Sequence, residues 1–208
     1  PIWFAAESSI SEYKGESFIQ FENQNELFRL ATGIEEDVLT RVDIKDVGHK
    51  GLNVIKSGYG NYSYQYSAPD DGSEDCYLKF NFTVPNDGPL YVTFDFGEIK
   101  NVRIKVGDSV LRTHNSGKYM DIFAAGDFNA GDVVSFQADA KDQKNGSGTI
   151  YVYQINSEVF ERGYQKLLSG AMNVTEYDDT SIKGSITAEN DCLMYTSIPY
   201  DGGWKAYV

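Results

Sequence analysis

Carboxylates are the commonest reactive groups in this sequence. There are 31 Asp and Glu against 18 Lys and Arg, a net charge of −13. The densest cluster is Asp70-Asp71-Gly72-Ser73-Glu74-Asp75. Asp70, Asp71, Glu74 and Asp75 together are candidate ligands of a weak Ca²⁺ site. The run lacks the D-x-[DN]-x-[DN]-G-x5-E spacing that wraps the ion, so it reads as a solvated acidic loop, and no metal or other cofactor is expected. A glycosidase needs two carboxyls facing each other across a cleft, and no local motif declares such a pair. His49 and His114, the two imidazoles, sit in turn-like surroundings and read as surface-loop residues. No G-x-S-x-G elbow supplies a nucleophile for either. Cys76 and Cys192 lie 192 − 76 = 116 positions apart. A bridge closing so long a loop would contribute ~4–5 kcal/mol, but nothing brings the two together. They read as free, partly buried thiols, and no cluster of Cys and His suits zinc. Gly58-Tyr59-Gly60 and Gly146-Ser147-Gly148 read as turns, because neither opens a helix as a phosphate loop would.

Aromatic side chains are the remaining chemical handle. Sugars lay their C–H faces on flat rings, which makes Tyr59, Tyr62, Tyr64, Tyr66, Tyr200 and Trp204 candidate glycan contacts. The competing reading for the alternating tyrosines is a strand face packed on a partner sheet. For Trp204, directly after Gly202-Gly203, it is a plug at the base of a hairpin, where truncation to Ala would cost ~3–5 kcal/mol.

Several function classes are set aside by composition. A basic footprint for nucleic acid is missing, so no nucleic-acid partner is expected. No apolar run approaches the ~20 residues that span a bilayer, and no signal peptide is visible. The sequence starts at Pro1 and stops inside a predicted strand, as expected of a piece of a longer protein.

The elements that must position these residues are mostly strands. Fifteen Tyr, twelve Phe and twenty Gly with five Pro favour β-structure with many turns. The fold class is mainly β: an antiparallel sandwich, jelly-roll or carbohydrate-binding-like, with a short linking helix and a second, truncated β unit. Residues 1–57 form a mixed segment whose helix covers Glu22 to Ala31 and stops at Gly33, with Asn23 and Asn25 bonding local backbone. Residues 58–156 form the sandwich. Leu78, Phe80, Phe82 and Val84 alternate with polar residues, as do Val92, Phe94 and Phe96 and then Val102, Ile104 and Val106. Further strands are expected at Tyr119–Ala124, Val133–Ala138 and Thr149–Ile155. Phe80, Phe94 and Phe136 should point inward.

Residues 157–170 form the linking helix. Ser157 is its expected N-cap, Gly170 its left-handed stop, and Phe160, Tyr164, Leu167 and Leu168 its apolar stripe. Gly163 marks a close approach to the sheet. Residues 171–208 form the second β unit, with strands at Asn173–Tyr177, around Ile182 to Ala188, and at Leu193–Ile198. A last hairpin arm starts at Trp204.

Ser197-Ile198-Pro199-Tyr200-Asp201 followed by Gly203-Trp204-Lys205 resembles the signature of the bacterial YfhO family of multi-pass membrane proteins. Phe21-Glu22-Asn23-Gln24-Asn25, the Gly126–Asp132 turn and the Phe160–Leu168 helix are similar to further stretches of that family, in order. The resemblance implies a soluble domain on the extracytoplasmic face of the bacterial cell membrane. It would belong to a protein similar to C-type glycosyltransferases, which use polyprenyl-phosphate sugars to glycosylate polymers such as lipoteichoic acid. The catalytic acid of such proteins lies in the membrane body, so no catalytic residue is carried over. Two roles follow: a non-catalytic domain that binds or positions glycan or a teichoic-acid-type polymer, or a structural domain packing on its own membrane-embedded remainder or on a partner.

Overall fold

The computed structural model describes residues 3–56, 63–67, 76–95, 101–115, 122–140, 145–188, 191–198 and 201–207. In chain order these form β1 (Trp3–Glu7), a 3-10 helix at Ser8–Glu12, α1 (Gln20–Thr32), β2 (Leu39–Arg41), β3 (Asp46–Lys50), β4 (Asn53–Lys56), β5 (Ser63–Ser67), β6 (Tyr77–Thr83), β7 (Gly88–Asp95), β8 (Asn101–Val106), β9 (Ser109–Asn115), β10 (Phe123–Phe128), β11 (Val133–Asp139), β12 (Asn145–Ile155), α2 (Ser157–Ser169), β13 (Asn173–Tyr177), β14 (Ile182–Ser185) and β15 (Cys192–Thr196). They divide into two compact units, Leu39–Ile155 and the two chain ends Pro1–Val38 and Asn156–Val208. The first unit thus starts at Leu39 and not at residue 58. The strands at 39–56 hydrogen-bond into its sheets, so the expected mixed segment 1–57 is divided between the two units.

The first unit is an antiparallel sandwich. One sheet runs β10-β7-β12-β5-β4, with β2 also pairing β12, and the other runs β3-β6-β11-β8-β9. Strand β6 shows why the fold is stable. Leu78, Phe80 and Phe82 are fully buried, and Tyr77, Lys79, Asn81 and Thr83 alternate with them on the outer face. Their neighbours are Val134 and Phe136 of β11, Leu90, Val92 and Phe94 of β7, and Ile150 and Val152 of β12. The Phe82 and Phe136 ring centroids stand 5.0 Å apart. Each such side chain is worth ~1.5–3 kcal/mol of burial, so this two-sheet cluster is the main stabilising element of the unit. Phe80, Phe94 and Phe136 all point inward, as expected.

Gln154 fastens the next turn. Its buried amide donates to the Asn86 carbonyl at 2.6 Å and accepts from the Asn86 N–H at 3.2 Å. Both backbone groups of Asn86 in the Pro85–Gly88 turn are thereby paired. Two expectations shift in this unit. Gly146-Ser147-Gly148 is not a turn but the start of β12, and the strand expected to end at Ala124 runs to Phe128 through a bulge at Ala124/Gly126. His49 and His114 fall in β3 and β9 and not in loops.

The second unit is assembled from both chain ends. Strand β1 pairs antiparallel with β15, from Trp3 opposite Thr196 to Glu7 opposite Cys192. The strand at Cys192–Thr196 therefore returns to the N-terminus and not to a terminal hairpin arm, and residues 204–207 form no strand. Helix α1 ends as expected, with Gly33 left-handed at φ 67° and its N–H bonded to Arg29 O. Asn23 bonds local backbone, accepting from Ser17 N at 2.8 Å and donating to Ser17 O at 2.9 Å.

Helix α2 differs from expectation in four ways. Asn156, not Ser157, is its N-cap, its side chain accepting from Val159 N at 3.2 Å. Gly170 is not left-handed, at φ −97°, because the Gly170 N–H closes a tight last turn onto Leu167 O. Gly163 meets a helix and not a sheet: a Cβ there would overlap the Phe28 ring of α1. The buried face is Val159 and Gly163, leaving Phe160, Tyr164 and Leu168 exposed. Neither cysteine forms a disulfide: Cys76 is buried, its thiol donating to Gly51 O at 3.3 Å, and Cys192 is exposed.

Gly163→Ala sets helix propensity against packing. The intrinsic gain is ~1 kcal/mol, while forcing a methyl into the Phe28 ring costs about 1–3 kcal/mol. The variant should be the less stable protein in urea unfolding, and a raised midpoint would contradict this packing. The β13–β14 turn offers a pH test. The Asp178 carboxylate accepts from Thr180 N, Thr180 Oγ1, Ser181 N and Ser181 Oγ at 2.7–3.0 Å. These bonds, led by the Thr180 amide, hold its pKa down from 3.8 to about 2. A depressed folded pKa means the turn's contribution is intact above pH 3.8 and is lost as pH falls through about 2. The Thr180 and Ser181 amide shifts should titrate with a midpoint near 2, and a midpoint near 3.8 would show that the carboxylate does not hold the turn.

Candidate functional site

The structure separates the sequence-derived aromatic candidates. Tyr64 and Tyr66 are 7% and 4% exposed and belong to the sandwich core. Tyr64 lies 5.2 Å from the Phe80 ring, and burial pushes its phenol pKa up. These two rings form the packed strand face, so a sugar has no access to their flat sides. Trp204 belongs to the other unit and is 44% exposed. It follows a tight turn in which Asp201 accepts from Gly203 N at 2.8 Å and from Trp204 N at 3.0 Å. It plugs no hairpin, because β1 occupies the place beside β15. Tyr59, Tyr62 and Tyr200, and the acidic candidates Asp70, Asp71, Glu74 and Asp75, lie outside the described residues. Among the described residues no group of three His, Cys, Asp or Glu could hold a metal ion.

A concave feature lies on the opposite face of the strand that holds those tyrosines. An open groove of about 390 Å³ is lined by Asn53, Ile55, Gln65, Tyr66, Ser67, Gly146 and Ser147. It is built by register. Asn53 stands opposite Ser67, and Ser67 opposite Asn145; Ile55 stands opposite Gln65, and Gln65 opposite Ser147. These rows point away from the core because Val54, Tyr66 and Tyr64, their alternates, point into it. Gly146 is closely approached from the buried side: a Cβ there would stand 2.8 Å from Tyr66 Oη. The glycine leaves room for the tip of the Tyr66 ring, and the register sets Ser147 opposite Gln65.

The same outer face continues along β12. Thr149 stands opposite Asp95, Tyr151 opposite Thr93, and Tyr153 between Tyr91 and Arg41. The Arg41 guanidinium lies over two rings, 5.2 Å from the Tyr151 centroid and 5.5 Å from that of Tyr153. Arg41 Nε also donates to Tyr153 Oη at 3.2 Å. From Ser147 to Tyr153 is six residues of extended chain, ~20 Å. Over that length the rows carry amides, hydroxyls, one exposed isoleucine and the half-buried Tyr151, with Asp95 and Arg41 as their charged members, while Thr93 and Tyr153 are fully buried. Side-chain amides offer paired donors and acceptors, and Ile55 offers an apolar contact, so the described residues of the groove can hold a polar ligand with C–H faces.

Sequence reasoning missed this face. Gly146-Ser147-Gly148 looks like a turn, and nothing local marks Asn53, Ile55 or Gln65. A signal was present in Tyr151-Val152-Tyr153, whose alternation puts two rings on the face opposite Val152.

Comparison with known proteins gives one family. The model described as "Bacterial membrane protein YfhO" matches residues 1–208. None of the curated proteins matches. Among solved structures, the chain is similar to a family 35 carbohydrate-binding module from Clostridium thermocellum, at 13% identity over 55% of this chain and 96% of that one, with a TM-score of 0.37. It is also similar to a mutant family 29 carbohydrate-binding module, at 14% identity over 55% and 86% with a TM-score of 0.34. A third is a GH26-CBM35 β-(1,4)-mannanase from Podospora anserina, at 15% identity over 58% and 28% with a TM-score of 0.36. Likeness at this level carries no ligand over to this chain.

Proposed function

The chain belongs to the YfhO family of bacterial membrane proteins, and from that premise we propose that its sandwich is an extracytoplasmic, non-catalytic module that holds a glycan. The glycan lies along the outer face of the six-stranded sheet. There it is positioned for glycosylation of a cell-surface polymer, of lipoteichoic acid type, by a membrane-embedded body similar to a C-type glycosyltransferase. The observation that carries this reading is the groove lined by Asn53, Ile55, Gln65, Ser67 and Ser147. The chain has 18 + 31 = 49 charged residues, yet none of the described residues that line the groove is charged. Sugars match such a surface, with hydroxyls for the amides and C–H faces for Ile55 and Tyr151. Catalysis is assigned to the membrane body and to no residue of this chain.

Calorimetric titration with neutral oligosaccharides cut from bacterial cell-surface polymers tests this reading. The protein should bind at least one of them, and Ser147→Trp, which fills the groove from an exposed position, should weaken it at least about tenfold, or 1.4 kcal/mol. Thermal stability should stay within about 0.5 kcal/mol, as for other surface substitutions. Absence of binding, or unchanged binding by Ser147→Trp, would remove the groove from the account.

A structural or assembly role is a second reading, favoured by one observation. Phe160, Tyr164 and Leu168 are 45%, 47% and 48% exposed along one side of α2, with the Phe160 and Tyr164 rings stacked at 6.3 Å. In this reading the stripe packs on the membrane-embedded remainder of the protein. Phe160→Ser with Leu168→Ser should then lower the unfolding midpoint of the full-length protein in detergent and leave that of the 208-residue chain in place. Equal effects on both would remove this role.

A further inference from the structure

We propose that the outer face of the five-stranded sheet, β3-β6-β11-β8-β9, rests on the anionic phospholipid headgroups of a bilayer. This surface shares no residue with the groove and does not depend on a bound glycan. Charge is the first observation. The acidity of the chain is uneven. Pro1–Val38 and Asn156–Val208 together carry 6 Lys and Arg and 16 Asp and Glu, 6 − 16 = −10, while Leu39–Ile155 carries 12 and 15, 12 − 15 = −3. On the outward rows of this one sheet the sign reverses. Among the described residues, Lys50, Lys79, Arg103 and Lys105 share the face with two carboxylates, Asp46 and Asp139. They point outward because their alternates, among them Phe80, Ile104 and Phe136, fill the core.

The cations are also held in place. The Asp139 carboxylate accepts from Arg103 Nη2 and, at 3.1 Å, from Gln137 Nε2. Gln137 Oε1 in turn accepts from Lys105 Nζ at 3.3 Å. Side chains already ordered lose little freedom when an anion arrives. Lys79 stands on the other side of Gln137, across β11 from Arg103 and ~10 Å from it by strand spacing. Its side chain has no ion-pair or hydrogen-bond partner among the described residues, and Gly48 opposite it has no side chain to cover it.

Apolar neighbours single out a bilayer from other polyanions. Val110, opposite Lys105, is 47% exposed, and Leu111 beside it in the β9 bulge is 50% exposed. Val133, on the outward row of β11, is 51% exposed. Basic residues bordered by exposed aliphatic ones suit a headgroup layer with acyl chains beneath it, whereas a dissolved phosphate polymer offers nothing to the aliphatic ones. The family to which the chain belongs is one of membrane proteins. Because the groove lies on the outer face of the other sheet, a sandwich resting on this face turns the groove away from the lipid.

The test is an NMR titration of the 208-residue chain with bicelles that contain phosphatidylglycerol and a gadolinium-chelating lipid. Relaxation enhancement should be strongest at the amides of residues 48–50, 79–81 and 103–111 and weakest at 65–67 and 145–147. It should vanish in bicelles of phosphatidylcholine alone and shrink as salt is raised. Lys79→Glu, which reverses the one cation with no described partner, should weaken the interaction at least about fivefold, and Leu111→Ser should weaken it as well. Unchanged amide shifts in the groove would show that both variants keep the fold. Enhancement centred on other residues, none at all, or full enhancement in Lys79→Glu would overturn the proposal. So would a soluble glycerol-phosphate polymer that shifts the same amides when the bicelles leave them unaffected.

Discussion

The structure depends on the packing of two inner sheet faces against each other. Because side chains alternate along a strand, committing Leu78, Phe80, Phe82 and Phe136 to one side fixes what the other side can present. Tyr64 and Tyr66 fall on the inner side and are taken up by the core, Tyr64 against Phe80 and Tyr66 against Gly146. Their alternates Gln65 and Ser67 are left on the outer side, beside Ile55 and Ser147. The groove is thus the outer side of the same alternation that builds the core. A slip of one residue between β5 and β12 would exchange the two sets and abolish both.

The chain is interleaved. Residues 39–155 form the sandwich, and the chain on either side of them forms the second unit through the β1–β15 pair and the contact of Phe28 with Gly163. Neither end of the chain can complete that unit alone. The closing stretch with Trp204 therefore shares a unit with α1, far from it in sequence, which explains why the terminal hairpin expected from local turn chemistry does not form. A two-residue turn signal acts locally, whereas the hydrogen bonds from β1 satisfy a whole strand.

What could be read in the sequence was whatever has a period. The strands at 78–84, 92–96, 102–106 and 149–155 declare themselves by alternation, and α1 by its helical spacing and Gly33. Residues 39–56 have weak alternation, and their place in the sheets is set by partners such as β6 and β12 that no local pattern names. The apolar stripe of α2 was visible, but its direction was not. Phe160 and Leu168 looked like core, yet the small Gly163 decides the packing, because only that side of the helix lets the Phe28 ring approach. The groove was illegible for a similar reason. A glycine pair normally punctuates a loop, and here it belongs to a strand because a tyrosine from the neighbouring strand needs the room.

The function proposed for this architecture is one of holding a glycan. It rests on a groove whose described lining residues are uncharged and include the amides of Asn53 and Gln65, in an acidic chain of a bacterial membrane protein family. Mapping amide chemical shifts of the protein on addition of a cell-surface oligosaccharide tests that claim most directly. The account predicts perturbations at residues 53–55, 65–67 and 145–151, including the side-chain amides of Asn53 and Gln65. Perturbations confined to the surroundings of Trp204 or to the Phe160–Leu168 side of α2, with the sheet face silent, would contradict it.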